Sequence, residues 1–161
     1  MTLPNLSVPQ TPKAWDKQVD LASRDWTALP SLPAFILTDG SAPAGQQTVA
    51  RVCHDSQALY VRYDCDDRDI WGTYTRGDDP ICDEEVVELF LAPSDADPSH
   101  HYEFKVSPNG VLLDAKIHNP TSQRADLEVD TSWDCSGLSW RAGRHEALNQ
   151  CGRCWSSPGR P

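Results

Sequence analysis

Asp83-Glu84-Glu85-Val86-Val87-Glu88-Leu89-Phe90-Leu91, closed by Ala92-Pro93, is the stretch whose reading decides the fold. Three acids lead into a short apolar run that one carboxylate, Glu88, interrupts and a proline ends. A run of this length, rich in Val, Leu and Phe and bounded by turn-formers, reads as a strand covered on both faces. Such a strand belongs in the middle of a sheet. A glutamate inside it loses solvation on folding, so it needs partners or a cleft, and Glu88 becomes the first candidate for function.

The neighbouring stretches supply sheet partners. Leu59, Val61, Tyr63 and Cys65 alternate with Tyr60, Arg62, Asp64 and Asp66, the period of a strand with two unlike faces. Tyr102, Phe104 and Val106 alternate with Glu103 and Lys105, and after Ser107-Pro108-Asn109-Gly110 the alternation resumes from Val111 to Ile117. Asn-Gly tolerates the positive φ of hairpin turns, so this pair is read as an antiparallel hairpin beside 86–91. Thr48–Cys53 and Leu127–Val129 are further strands, and Phe35-Ile36-Leu37 a short one. With 13 prolines and 9 glycines in 161 residues, long helices are scarce. The expectation is one all-β domain, an antiparallel, jelly-roll-like β-sandwich over residues 1–144. Trp15 and Trp26 anchor its irregular N-terminal part. Residues 145–161 show no period and end in Ser-Ser-Pro-Gly-Arg-Pro, so an irregular tail is expected there.

The balance of 24 acidic against 14 basic residues, a formal charge of −10, repels phosphate backbones and anionic lipid. Nucleic-acid and membrane-surface binding are therefore not expected. No run of about 18 apolar residues is present, so no spanning helix is expected. The segment Met1–Leu6 has neither a basic region nor an apolar core, so no secretory signal is read. The six cysteines are then taken as reduced thiols in a cytosol.

Placed on one face, Arg62, Asp64, Glu88, Glu103, Lys105, Asp114 and Lys116 form a polar surface with Trp71 and Tyr74 at its rim. Such a face can be a solvated sheet stitched by ion pairs. It also suits a polyhydroxylated ligand, which needs flat aromatic surfaces for its C–H faces and charged partners for its hydroxyls. Asp66, Asp67 and Asp69 offer calcium-type oxygen ligands, without a glycine-punctuated calcium loop. Cys151-Gly152-Arg153-Cys154 has the spacing of half a zinc site or a redox pair, and no second ligand pair matches it. The one methionine, Met1, gives no axial ligand for haem. Glu88 and Glu103 could meet the carboxylate spacing of a glycosidase, but nothing else points to hydrolysis. No phosphate loop, nucleophile elbow or H-E-x-x-H motif occurs.

The series Leu59-Tyr60-Val61-Arg62-Tyr63, Asp67, Ile70-Trp71-Gly72-Thr73-Tyr74-Thr75, Asp79-Pro80, Glu85–Leu91 and Tyr102–Gly110 resembles the family 9 carbohydrate-binding modules and their DOMON-related bacterial kin, over residues 30–120. The resemblance implies a β-sandwich that binds sugar without catalysis, requires no cofactor, is often stabilised by calcium and is commonly joined to a glycoside hydrolase. It implies Glu88 as a sugar-contacting acid and Glu103 as a motif position. Cys82 stands where sugar-binding members carry a tryptophan, and Trp133 and Trp140 are the candidates for a second clamp tryptophan. The family's closing Trp-x-x-Glu strand is not found after Arg144, which implies an altered or shortened C-terminus. Two readings follow: a carbohydrate-binding module using Glu88, Trp71, Glu103, Arg62 and Tyr74, or a degenerate sandwich serving as a structural partner for another protein.

Overall fold

The computed structural model of the chain describes residues 6–12, 15, 24–94, 99–146 and 153–156. Eight strands are present among them: β1 (Thr48–His54), β2 (Leu59–Asp67), β3 (Val87–Leu91), β4 (His100–Val106), β5 (Leu112–His118), β6 (Glu128–Asp130), β7 (Gly143–Glu146) and β8 (Arg153–Ser156). They form two four-stranded antiparallel sheets, ordered β1-β2-β8-β7 and β3-β4-β5-β6. The expected β-sandwich is the fold.

The hairpin β4–β5 pairs from His100 opposite His118 to Val106 opposite Leu112. Its turn is set by three residues. Gly110 N–H donates to the Ser107 carbonyl at 2.9 Å, Pro108 and Asn109 fill the centre, and Gly110 follows with φ 79°. Ser107 N–H then donates to the Val111 carbonyl at 3.0 Å. This is a tight turn followed by a left-handed bulge residue, where a glycine avoids the Cβ penalty. The turn also fixes the phase of the two strands. Lys105 lies opposite Leu113 and Glu103 opposite Ala115, so the apolar residues of β5 share a face with the charged residues of β4.

That phase means both faces of the second sheet need cover. On the inner side, Val87 and Leu89 join Phe104, Val106 and Leu112, facing Leu59, Val61 and Tyr63 of β2 across the sandwich. The outer side of β5 is buried by the segment that leads into β3. Ile81, fully buried in a short 3-10 turn, packs with Tyr74 and Val86 on Val111, Leu113, Ala115 and Ile117. The first sheet is covered the same way. Trp26 and Leu29, with Trp15, bury Cys53 and Tyr60 on the outer side of β1 and β2, as expected for the N-terminal tryptophans.

Three expectations are corrected. First, β3 is an edge strand among the described residues, not a central one. Val87 and Leu89 are apolar because the opposite sheet covers that side, while on the other side the incoming segment covers Val86 and leaves Glu88 beside Lys105 and Phe90 exposed. Second, the tail from 145 contributes regular backbone: β7 runs to Glu146, and Arg153–Ser156 pairs with β2, Asp64 opposite Ser156 through Asp67 opposite Arg153. Pairing a free sheet edge uses backbone groups and needs no side-chain period. Residues 147–152 and 157–161, with Cys151 and the rest of that expected tail, lie outside the described residues. Third, Phe35-Ile36-Leu37 is no strand but one side of a looped ribbon, bridged from Ile36 to Pro43 and exposed at all three positions.

Candidate functional site

The residues expected to share one polar face are distributed over three surfaces. Arg62 and Asp64 lie on the outer side of the first sheet, where Arg62 Nε and Nη2 grip Asp64 at 2.7–3.0 Å and Arg51 approaches the same carboxylate at 3.5 Å. Asp114 and Lys116 lie on the inner side of the second sheet. Asp114 is buried and accepts the Cys135 N–H at 2.7 Å, and the Lys116 ammonium lies 5.3 Å from the Trp133 ring centre. Glu88, Glu103 and Lys105 remain together on the outer side of the second sheet. Alternation within each strand is as expected; its phase between strands and the assignment of β2 to the other sheet separate the set.

On that outer side Lys105 Nζ bridges two carboxylates, Glu88 Oε1 at 2.8 Å and Glu103 Oε2 at 2.8 Å. Burial works against the ammonium, but the bonds from Glu103 and Glu88 outweigh it and hold its pKa above the ordinary lysine value. His101 Nε2 stands 3.5 Å from Glu103 Oε1, and the exposed Phe90 ring lies 5.4 Å from Lys105 Nζ. Glu88 thus has the partner its position demands, and its backbone carbonyl accepts Tyr63 Oη from the opposite sheet at 2.9 Å.

Trp71 and Tyr74 belong to the segment laid over the same side, and the acids before β3 shape it. Trp71 N–H donates to Glu85 Oε2 at 3.0 Å, and Thr73 and Tyr74 N–H donate to Glu84 at 2.8–3.3 Å, with the Thr73 hydroxyl added. Burial opposes charge on Glu84, yet these donors hold its pKa below the ordinary value. Glu85 is shifted the other way: burial, with the Asp67 and Asp69 carboxylates beside it, outweighs the Trp71 donor and pushes it up. Asp67 is buried and accepts the Asp69 N–H at 2.9 Å, whereas Asp66, its neighbour on β2, alternates to the other face and is exposed. The three aspartates therefore do not converge as one group. Among the described residues, no set of three His, Cys, Asp or Glu is placed to hold a metal ion.

The hairpin tip draws in a residue that the sequence pattern left unassigned. Asn109 Nδ2 donates to the Gly72 carbonyl at 2.7 Å, and its Oδ1 accepts Arg144 Nη2 at 2.7 Å. Trp140 Nε1 donates to the Gly110 carbonyl at 3.0 Å. Asn109-Gly110 thus fastens the Trp71-Gly72 segment on one side and Trp140 on the other. Both tryptophans stay half exposed, Trp71 at 47% and Trp140 at 41%. Trp133, the other late tryptophan, is packed on Tyr102 and Phe104 at 4.7 and 6.1 Å between ring centres. Asn109-Gly110 signals a turn, and the side-chain role of Asn109 has no separate signal in the sequence.

No family model matches the chain. It is 30% identical over 115 residues to an "Extracellular protein" of Arthroderma benhamiae, a match covering 70% of this chain and 50% of that protein. The chain therefore spans about half the length of the curated relative it matches. Among solved structures it superimposes on a candidate carbohydrate-binding protein from Bacteroides uniformis with a TM-score of 0.59 and 12% identity, covering 84% of this chain and 61% of that one. At that identity the likeness is one of fold.

Proposed function

We propose that the protein is a non-catalytic carbohydrate-binding module that takes a sugar against Trp71 and Trp140 at the β4–β5 hairpin tip. The observation that carries this reading is that Asn109-Gly110 fastens the half-exposed Trp140 by its indole N–H and the backbone beside the half-exposed Trp71 through the Gly72 carbonyl. Fixed aromatic planes offer a sugar ring its C–H contact at little entropic cost, because the protein has already ordered them. Glu88 and Glu103 supply acceptors on the outer side of the second sheet, opposite the inner side that Trp140 lines, and Arg144 supplies a donor at the tip. Tyr74 supports the segment from beneath. Arg62 is left out, since it points away from the other sheet and is committed to Asp64.

The fold of the Bacteroides uniformis protein, described as carbohydrate-binding, is consistent with this reading. Attachment to a glycoside hydrolase and stabilisation by calcium belong to the resemblance with family 9 modules and are part of the proposal. The test is a screen of a soluble glycan panel, followed by titration of the best ligand with Trp71→Ala and Trp140→Ala. Each substitution should raise Kd about thirtyfold, on the order of 2 kcal/mol for a central aromatic contact. Wild-type protein that binds nothing in the panel would leave the degenerate structural module as the better reading.

A further inference from the structure

Among the described residues, the space between the sheets is not filled. A cavity of about 320 Å³ lies there. From β2 it is lined by Leu59 and Val61, and from β3 by Val87 and Leu89. Phe104 and Trp140 add aromatic surface. No charged side chain is among the described lining residues. Tyr63, the one phenol there, spends its hydroxyl on the Glu88 carbonyl. Packed interiors hold few voids larger than a water molecule, and purely apolar ones stay dry. A space this size falls in the range of about 300–1,000 Å³ that holds small organic molecules. Leu59 and Trp140 line it and are each 41% exposed, so it opens to solvent beside them.

We infer that this inter-sheet cavity binds a small uncharged aliphatic ligand, of the class of a medium-length alkyl chain. The walls give such a chain apolar contact from both sheets, and the polar side chains among them are few: Gln57, which is exposed, Cys135, Ser139 and the already bonded Tyr63. A charged head group would have to stay at the mouth, since burying it unpaired costs far more than the chain gains. The cavity shares Trp140 with the hairpin tip, while its other walls come from β2, β3, β4 and β5, so a ligand held by those walls is tested apart from sugar binding at the tip.

The test uses the full chain and decanol as probe, with glucose as a polar control. Decanol should raise the melting temperature saturably, while glucose gives no such effect through this site. Methyl resonances of Val61, Val87, Leu89 and Leu112 should move on titration, and those of Leu127 and Val129, exposed elsewhere, should not. Filling the cavity with Leu89→Trp, or with the smaller change Val61→Phe, should raise the decanol Kd at least tenfold in any variant that still melts cooperatively. If neither variant folds, the methyl map decides alone. The inference is overturned by an unsaturable or absent stabilisation of the wild type, by methyl shifts spread equally over Leu127 and Val129, or by an unchanged Kd in a folded, filled variant.

Discussion

At the scale of single residues, the Lys105 bridge and Glu85 set the electrostatics of the segment around the proposed site. Lys105 carries two carboxylates, so Lys105→Met should leave Glu88 and Glu103 facing each other without a cation. A loss of about 1–3 kcal/mol in urea unfolding is expected, most of it from the stranded acids and not from the lysine itself. Restoring balance with Glu88→Gln in the same chain should recover part of it. Because the Lys105 pKa is raised in the folded chain, its contribution is complete at neutral pH and fades only as pH climbs through that raised value. Glu85 has the opposite sign of effect. A carboxyl whose folded pKa is raised binds its proton more tightly when folded, so its ionisation costs stability above that pKa. Glu85→Gln keeps an acceptor for the Trp71 N–H and removes the repulsion from Asp67. It should raise the melting temperature by about 1–2 °C at pH 7, small because the group is partly solvated. The gain should vanish as pH falls through the raised pKa toward the ordinary 4.5. An equal gain at pH 4 and pH 7 would contradict this account. The need of Glu88 for a partner was legible from its place in an apolar run. The identity of that partner among Arg62, Lys105 and Lys116 was not, because strand pairing and phase are not local properties.

At the scale of elements, the hairpin was legible and the position of β3 was not. Pro108-Asn109-Gly110 and two alternating runs are short-range signals that agree with one another, so they determine one turn and one pairing. An apolar run such as Val86–Leu91 says that both faces are covered, but not by what. Here a second sheet covers one side, a folded-back segment covers only Val86 on the other, Phe90 stays exposed, and the strand lies at an edge. The polar face dissolved for the same reason: the turn residues put Leu113 and Ala115 beside Lys105 and Glu103, a phase that no single strand reveals. Two substitutions test these joints. Gly110→Ala forces a Cβ into the left-handed region and should cost about 1–2 kcal/mol. Tyr63→Phe removes the hydrogen bond from β2 to the backbone of β3, and about 1 kcal/mol should be lost. Tyr63, whose hydroxyl burial pushes up to about 12, stays neutral throughout the range in which the protein would be studied, so this loss should not vary between pH 5 and 9. A strong pH dependence would point to a different partner for the phenol.

At the scale of the whole molecule, the strands converge on one rim. The β4–β5 turn, the segment before β3 and the chain between β6 and β7 meet at Asn109-Gly110, which holds the backbone beside Trp71 and the indole of Trp140. The sequence carried both tryptophans but nothing that brought them to one turn, since 68 residues of chain, including all four strands of the second sheet, lie between them. A module built this way binds with parts that are already ordered, so sugar binding should change its backbone little. The most direct measurement is calorimetric titration of the wild type, Trp71→Ala, Trp140→Ala and Glu88→Gln with the sugar selected by the glycan panel. The account predicts about thirtyfold weaker binding for each tryptophan variant, a loss of about 1.5–3 kcal/mol for Glu88→Gln, and cooperative melting in all four proteins. Unchanged affinity in both tryptophan variants, with the fold intact, would contradict it.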